Sequence, residues 1–332
     1  MPLKPALRGL FMISMFVVLS CSGKTPKVIS RIDHSPAYSV ISIRSRAVDS
    51  GMLDRGKIID LHVMLPASYA ADTERRYPVV YCLHGFGDSA IGIVTPLERA
   101  ARSSPGAEAI FVGISGTNSL GGSFYANSPV IGNWADLVTE EVVALMDARF
   151  RTVAAAEGRV LAGFSMGGFG AWNLALARPD VFSGAWACGP GAWDQNGLKD
   201  TLAVWGDTYR NAYGAAYSPD PSLPPPHARI PRLDGSSSDA SIISDWEKGF
   251  GGIDDKLAAY RAGEYRLKAM SFAYGTHDDY SWIPRGAAHV AARMREAGID
   301  VDETAYPATH RLTATMIQGS FLPFLQKAFG AR

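Results

Sequence analysis

Cysteine is scarce in this sequence, three in 332 residues, and neither sign of charge prevails: 32 lysines and arginines stand against 32 aspartates and glutamates. A balanced chain has no net field to draw it to nucleic acid or to an anionic surface, so nucleic acid is excluded as an expected partner. The cysteine spacing matches no metal-site pattern, and no metal is expected. Cys82 and Cys188 each fall in an apolar strand segment. On non-adjacent strands of one sheet, with ~4.8 Å between neighbours, they lie beyond disulfide reach and read as buried free thiols. No internal repeat is found. What is abundant is apolar: 47% of the chain is hydrophobic, enough for one large core and a single domain with a tail.

The tail comes first. Lys4 and Arg8 precede an apolar run from Leu10 to Leu19, too short to span a membrane and suited to a signal peptide over residues 1–20. Val18-Leu-Ser-Cys21 resembles a bacterial lipobox, which implies export, lipidation of Cys21 and anchoring to a bacterial cell membrane, on its periplasmic or surface side, through that lipid only. Residues 21–36 then read as a polar tether, and residues 37–332 as the folded domain.

The stretch from Gly158 to Trp172 organises that domain. An apolar strand, Val160-Leu-Ala162, enters Gly163-Phe-Ser165-Met-Gly167 and continues as a helix over roughly Met166 to Ala177. The glycines leave room for a sharp turn that lifts the Ser165 hydroxyl clear, and the helix start aims free N–H groups at a developing oxyanion. Around it, strands and helices alternate. Tyr38–Val48 and Lys57–Leu65 read as an antiparallel hairpin at the sheet edge, followed by strands at Pro78–Leu83, Ala109–Ile114, Gly184–Cys188, Lys268–Tyr274 and Val301–Tyr306. A short helix is expected from about Pro96, an amphipathic one over Trp134–Phe150 with Glu140 and Glu141 on its polar face, and others from about Pro284 and Leu312. This order predicts an α/β fold, a mostly parallel sheet with helices on both faces. Residues 189–265, rich in proline and glycine, read as an irregular cap insertion over the site.

A serine hydroxyl needs a base, and the base needs an orienting acid. In the α/β-hydrolase order the acid follows the serine and the histidine comes last. His34 and His62 precede the turn, His227 lies in the insertion and His289 within a helix, which leaves His310 in a short loop before the last helix. Gly275-Thr-His-Asp-Asp279 follows a late strand; Asp278 is the expected acid, Asp279 the reserve, and His277 a secondary candidate base. Backbone N–H groups of Phe86 and Met166 should form the oxyanion hole, and His84 reads as a hydrogen-bonding scaffold for the loop after the strand ending at Leu83.

Leu83-His-Gly85, Gly163-Phe-Ser-Met-Gly-Gly168, Gly275-Thr-His-Asp278 and His310 together resemble the esterase family of the α/β-hydrolase superfamily that includes S-formylglutathione hydrolase (esterase D), feruloyl and acetyl-xylan esterases and the mycolyltransferases. Gly122-Ser-Phe-Tyr-Ala-Asn-Ser128 resembles that family's loop before the helix preceding the serine turn, with Tyr125 as a substrate contact. Around His310 the pattern departs: Ala308-Thr309 precede it where relatives often carry glycine, and Arg311-Leu312 follow where tryptophan is common. The resemblance implies a cofactor-free serine carboxylesterase acting on a small-molecule or saccharide ester. An acyltransferase of the mycolyltransferase kind, or a surface-binding lipoprotein without catalysis, is the alternative. Aromatic residues of the insertion, Trp193, Trp205, Tyr209 and Trp246, are candidates to line the pocket for a sugar or aryl ester, Trp193 foremost.

Overall fold

The computed structural model describes residues 25–104, 108–232 and 237–330. The signal segment and Cys21 lie outside them. Nine strands form one sheet: β1 (Lys27–Ser35), β2 (Tyr38–Arg44), β3 (Ile58–Met64), β4 (Val79–Leu83), β5 (Ile110–Ile114), β6 (Arg159–Phe164), β7 (Gly184–Cys188), β8 (Ala269–Gly275) and β9 (Val301–Tyr306). Their spatial order is β1-β2-β3-β5-β4-β6-β7-β8-β9. The first three strands pair antiparallel and from β5 onward every pairing is parallel.

The central strands are buried along their whole length, because helices cover both faces. Successive residues divide between those faces. Tyr81 and Leu83 join a core with Trp134, Trp172 and Val290, which belong to α2 (residues 134–149), α3 (Met166–Ala177) and α8 (Trp282–Glu296). Val80 and Cys82 join the opposite core with Leu97 of α1 (Ala90–Arg102) and Phe324 of α9 (residues 314–329). Cys82 and Cys188 are buried free thiols on β4 and β7, with β6 between them.

Four expectations need correction. Residues 21–36 are not a tether throughout, since Lys27–Ser35 is β1, hydrogen-bonded to β2. Most of its side chains are exposed, with Arg31 and Asp33 paired on it, so it carries the polarity of a tether while its backbone closes the sheet edge. α1 begins at Ala90, where Ser89 accepts from the Gly92 N–H at 3.3 Å, and Pro96 falls inside it. In α2 the turn Leu137–Val142 is π-wound. The extra residue per turn rotates Glu141 inward, where its carboxylate accepts the Arg46 and Ala47 N–H groups at 3.1 Å each. Finally, the insertion is helical more than irregular, with α4 (Gly197–Val204), α5 (Asp207–Tyr217), α6 (Ser237–Glu247) and α7 (Ile253–Ala262) separated by its glycines and prolines. Each helix is short enough to fit between those breakers, which is why composition alone hides them.

Candidate active site

Ser165 sits at the β6–α3 turn with φ 55° and ψ −118°, a region that costs a non-glycine residue about 1–3 kcal/mol. Its neighbours hold it there. The Ser165 N–H donates to Cys188 O at 2.9 Å, and its carbonyl accepts from Phe169 N. A Cβ on Gly163 would lie 2.0 Å from Gly167 O, and one on Gly167 would lie 1.9 Å from Leu83 O. Strand, turn and helix are therefore packed backbone on backbone, and a single added carbon at either glycine displaces the turn.

The parallel strands β8 and β9 carry the other two groups on their following loops. Thr276 N–H donates to Tyr306 O at 2.8 Å and His277 N–H to Ala308 O at 3.0 Å, which ties the two loops together. His310 Nδ1 lies 2.8 Å from Asp278 Oδ2, and His310 Nε2 lies 2.9 Å from Ser165 Oγ. The Asp278 side chain is 1% exposed, and its other oxygen accepts from Tyr280 N at 2.9 Å, so the carboxylate is aimed at the ring. Asp279 and His277 are exposed. Phe164 lies against one side of the imidazole at 4.9 Å and Tyr280 meets it edge-on at 5.2 Å. Ser165, His310 and Asp278 thus form one hydrogen-bonded chain in which each member's orientation is fixed by another.

Met166 is the first residue of α3, so its N–H has no carbonyl one turn earlier within the helix. Phe86 and Gly85 border the same pocket as Ser165 and Met166, and a Cβ on Gly85 would touch Ser165 Cβ at 3.4 Å. His84 is wholly buried. Gly116 N–H donates to its Nε2 at 2.8 Å, so Nδ1 carries the proton toward Gly85 O at 2.7 Å. Burial lowers its pKa and keeps it neutral, a strut between the β4 and β5 loops.

The pocket over Ser165 and His310 is walled by aromatic rings: Phe86, Phe124, Trp205, Tyr209, Phe250, Tyr280 and Trp282. The Tyr280 phenol, hydrogen-bonded to Tyr209 and partly buried, is pushed up to about 12. Trp205 and Tyr209 come from the insertion as expected, but Trp193, Trp246 and Tyr125 do not reach the pocket. Trp193 is buried with Nε1 donating to Thr201 Oγ1 at 2.8 Å, Trp246 donates to Ser218 Oγ, and Tyr125 donates to His84 O at 3.2 Å. Each is a large ring with one polar atom, and each finds its partner inside the core. Phe250, Tyr280 and Trp282 escaped the sequence reading. For Tyr280 a signal existed, its place two residues beyond Asp278; for Phe250, between glycines in the insertion, none did.

The family model Esterase, described as "Putative esterase", matches residues 55–230. The chain belongs to this esterase family. Two esterase relatives of known name share parts of it. "Esterase Rv1288" of Mycobacterium tuberculosis is 34% identical over 129 residues, 38% of this chain and 27% of that protein. An "Endo-1,4-beta-xylanase/feruloyl esterase" of Xylanibacter ruminicola is 27% identical over 164 residues, 45% of this chain and 22% of that one. The chain thus spans about a quarter of the length of the curated relatives it matches. Among solved structures, an S-formylglutathione hydrolase from Agrobacterium tumefaciens superposes with TM-score 0.60 at 16% identity, covering 92% of this chain and 100% of that one. A ferulic acid esterase from Anaeromyces mucronatus in complex with ferulic acid gives 0.54 at 19%, covering 90% and 94%. At such identities these two establish the shared α/β-hydrolase fold.

Proposed function

We propose that this esterase-family protein is a serine carboxylesterase working through an acyl-enzyme. The observation that carries the reading is the chain of two hydrogen bonds, 2.9 and 2.8 Å, from Ser165 through His310 to Asp278. Ser165 Oγ attacks the ester carbonyl as His310 Nε2 takes its proton, and the Asp278 carboxylate steadies the imidazolium and holds its tautomer. The oxygen that becomes negative faces the N–H groups of Phe86 and Met166. His310 then protonates the leaving alcohol, and afterwards activates the water that releases the acid. Nothing in these steps calls on a metal or organic cofactor.

The aromatic walls favour an aryl or otherwise planar acyl group, and the ferulic acid bound by a structural neighbour supports the same class. Fluorophosphonate labelling and a panel of acetyl, feruloyl and long-acyl esters test the reading. Ser165→Ala should lose labelling and all but about a thousandth of turnover or less, with the melting temperature unchanged. Larger residual activity places the nucleophile elsewhere. Product analysis with and without a sugar acceptor separates hydrolysis from acyl transfer.

Export and lipid anchoring at Cys21 are proposed on the charged start, the short apolar run and the lipobox-like Val18-Leu-Ser-Cys21. Cys21→Ala should abolish partitioning into detergent and uptake of labelled fatty acid; unchanged partitioning refutes an anchor at this residue.

A further inference from the structure

His310 faces two spaces, and only one of them is bordered by Ser165. The aromatic pocket, about 160 Å³, touches both side chains. A second and larger space, about 930 Å³, shares Asp88, Phe164 and His310 with it but is bordered by neither Ser165 nor Met166. This groove runs between α1 and α9, the two helices on the Cys82 face of the sheet. Ile93, Pro96 and Ala100 line it from one side and Leu312, Ile317 and Leu322 from the other, with Ser103, Ser104 and Gln318 as polar groups among them. Arg99 and Arg311, both exposed, stand at its rim.

Proton transfer decides which arm of an ester can enter it. In acylation the carbonyl carbon bonds to Ser165 Oγ and the bond to the alcohol oxygen breaks, with that oxygen taking the proton from His310 Nε2. The acyl arm stays attached at Ser165, in the space bordered by Ser165. The alcohol oxygen lies against His310, and the groove opens beside His310. We infer that the groove between α1 and α9 binds the alcohol part of the substrate, and that this part is an extended aliphatic chain. The inference rests on the serine-esterase reading above. The groove holds several times the volume of the aromatic pocket, and the aliphatic side chains along it offer burial to methylenes, while the one phenyl ring among its described lining residues, Phe164, is shared with the aromatic pocket.

Acetate esters of ethanol, butanol, hexanol, octanol and decanol test this with the unaltered protein. Because every ester in the series leaves the same acetyl group on Ser165, alcohol length acts on kcat/KM, which reports acylation, and leaves a deacylation-limited kcat common to all. The expected result is a rise in kcat/KM of up to about fourfold per methylene, the ceiling for a fully buried CH₂, levelling once the chain reaches the rim. Ethyl esters of acids lengthened over the same range should show no such rise. Ala100→Trp, which fills the groove from α1, should bring the decyl-to-ethyl ratio down toward one. Fluorophosphonate labelling of Ser165 is followed in parallel. A labelled enzyme whose kcat/KM climbs with acyl length instead puts the acyl arm in the groove and overturns the assignment. Two flat series with labelling intact also overturn it, leaving the groove without a part in the reaction. Failure of labelling and of hydrolysis alike refutes the serine-esterase reading itself.

Discussion

Ser165 and Phe250 border one pocket and are held there by opposite means. Around Ser165, backbone packs on backbone so closely that Gly163 and Gly167 have no space for a methyl group. Phe250 lies between α6 and α7 and is held by rings, with Phe169 at 4.7 Å, Tyr213 at 5.0 Å and Trp193 at 5.4 Å. Beneath its loop the Lys256 ammonium donates to Lys248 O, Gly249 O and Gly251 O. Backbone packing tolerates no half-measures, whereas ring contacts give way by degrees. The chemistry of the site is thus placed by the first kind of support and the shape of its wall by the second.

The sharpest way to break the comparison is on the rigid side. Asp278→Asn should keep the fold and cut turnover by about ten-thousandfold, since an amide cannot stabilise the imidazolium and favours the wrong tautomer. Asp279→Asn, on an exposed side chain, should change turnover by less than about twofold. Turnover that collapses in Asp279→Asn and survives in Asp278→Asn would move the acid one residue along. Next comes Gly167→Ala, whose new Cβ meets Leu83 O; a loss of about 3 kcal/mol or more by denaturant titration is expected. A variant of near-normal stability would show that the turn yields more readily than its packing indicates.

The smallest effect should come from the yielding side. Lys256→Met leaves three carbonyls without their donor and should cost about 1–3 kcal/mol, with KM rising more than kcat falls as Phe250 shifts. A signature in pH accompanies it. Burial pushes Lys256 from 10.5 down to about 7, outweighing the Glu247 carboxylate beside it. Between those two values the unfolded chain binds the proton that the folded one has lost, so the stability of the unaltered protein should rise with pH across that window. The methionine variant should lack that rise; parallel slopes would mean that Lys256 keeps its proton against the carbonyls.

How much of this was legible in the residues follows the same division. The turn at Ser165 announces itself because only glycines fit there, and α3 and β7 begin and end where the glycine and proline pattern puts them. The chain order of Ser165, Asp278 and His310 was legible because parallel strands deliver successive loops to one edge. β1 was not, since an edge strand and a tether share a polar composition. Nor was the inward turn of Glu141, because a π-wound turn shifts the phase on which every helical pattern depends. Trp193 and Tyr125 were misjudged for a third reason: an aromatic residue with a polar tip suits a pocket wall and a buried core equally well, and only the position of its partner decides.

The tie between the Asp278 and His310 loops is made of amides and carbonyls, groups that every residue but proline carries in full. Spelling is therefore almost free where the histidine is held. Ala308 and Thr309 serve there through their main chain, the Ala308 carbonyl accepting from His277 N–H and the Thr309 carbonyl from Arg311 N–H. The demand for a bare residue lies on the facing loop, where a Cβ on Gly275 would come within 2.2 Å of Ala308 O. A library randomised over 308 and 309 should stay broadly active, while one randomised at 275 should return glycine.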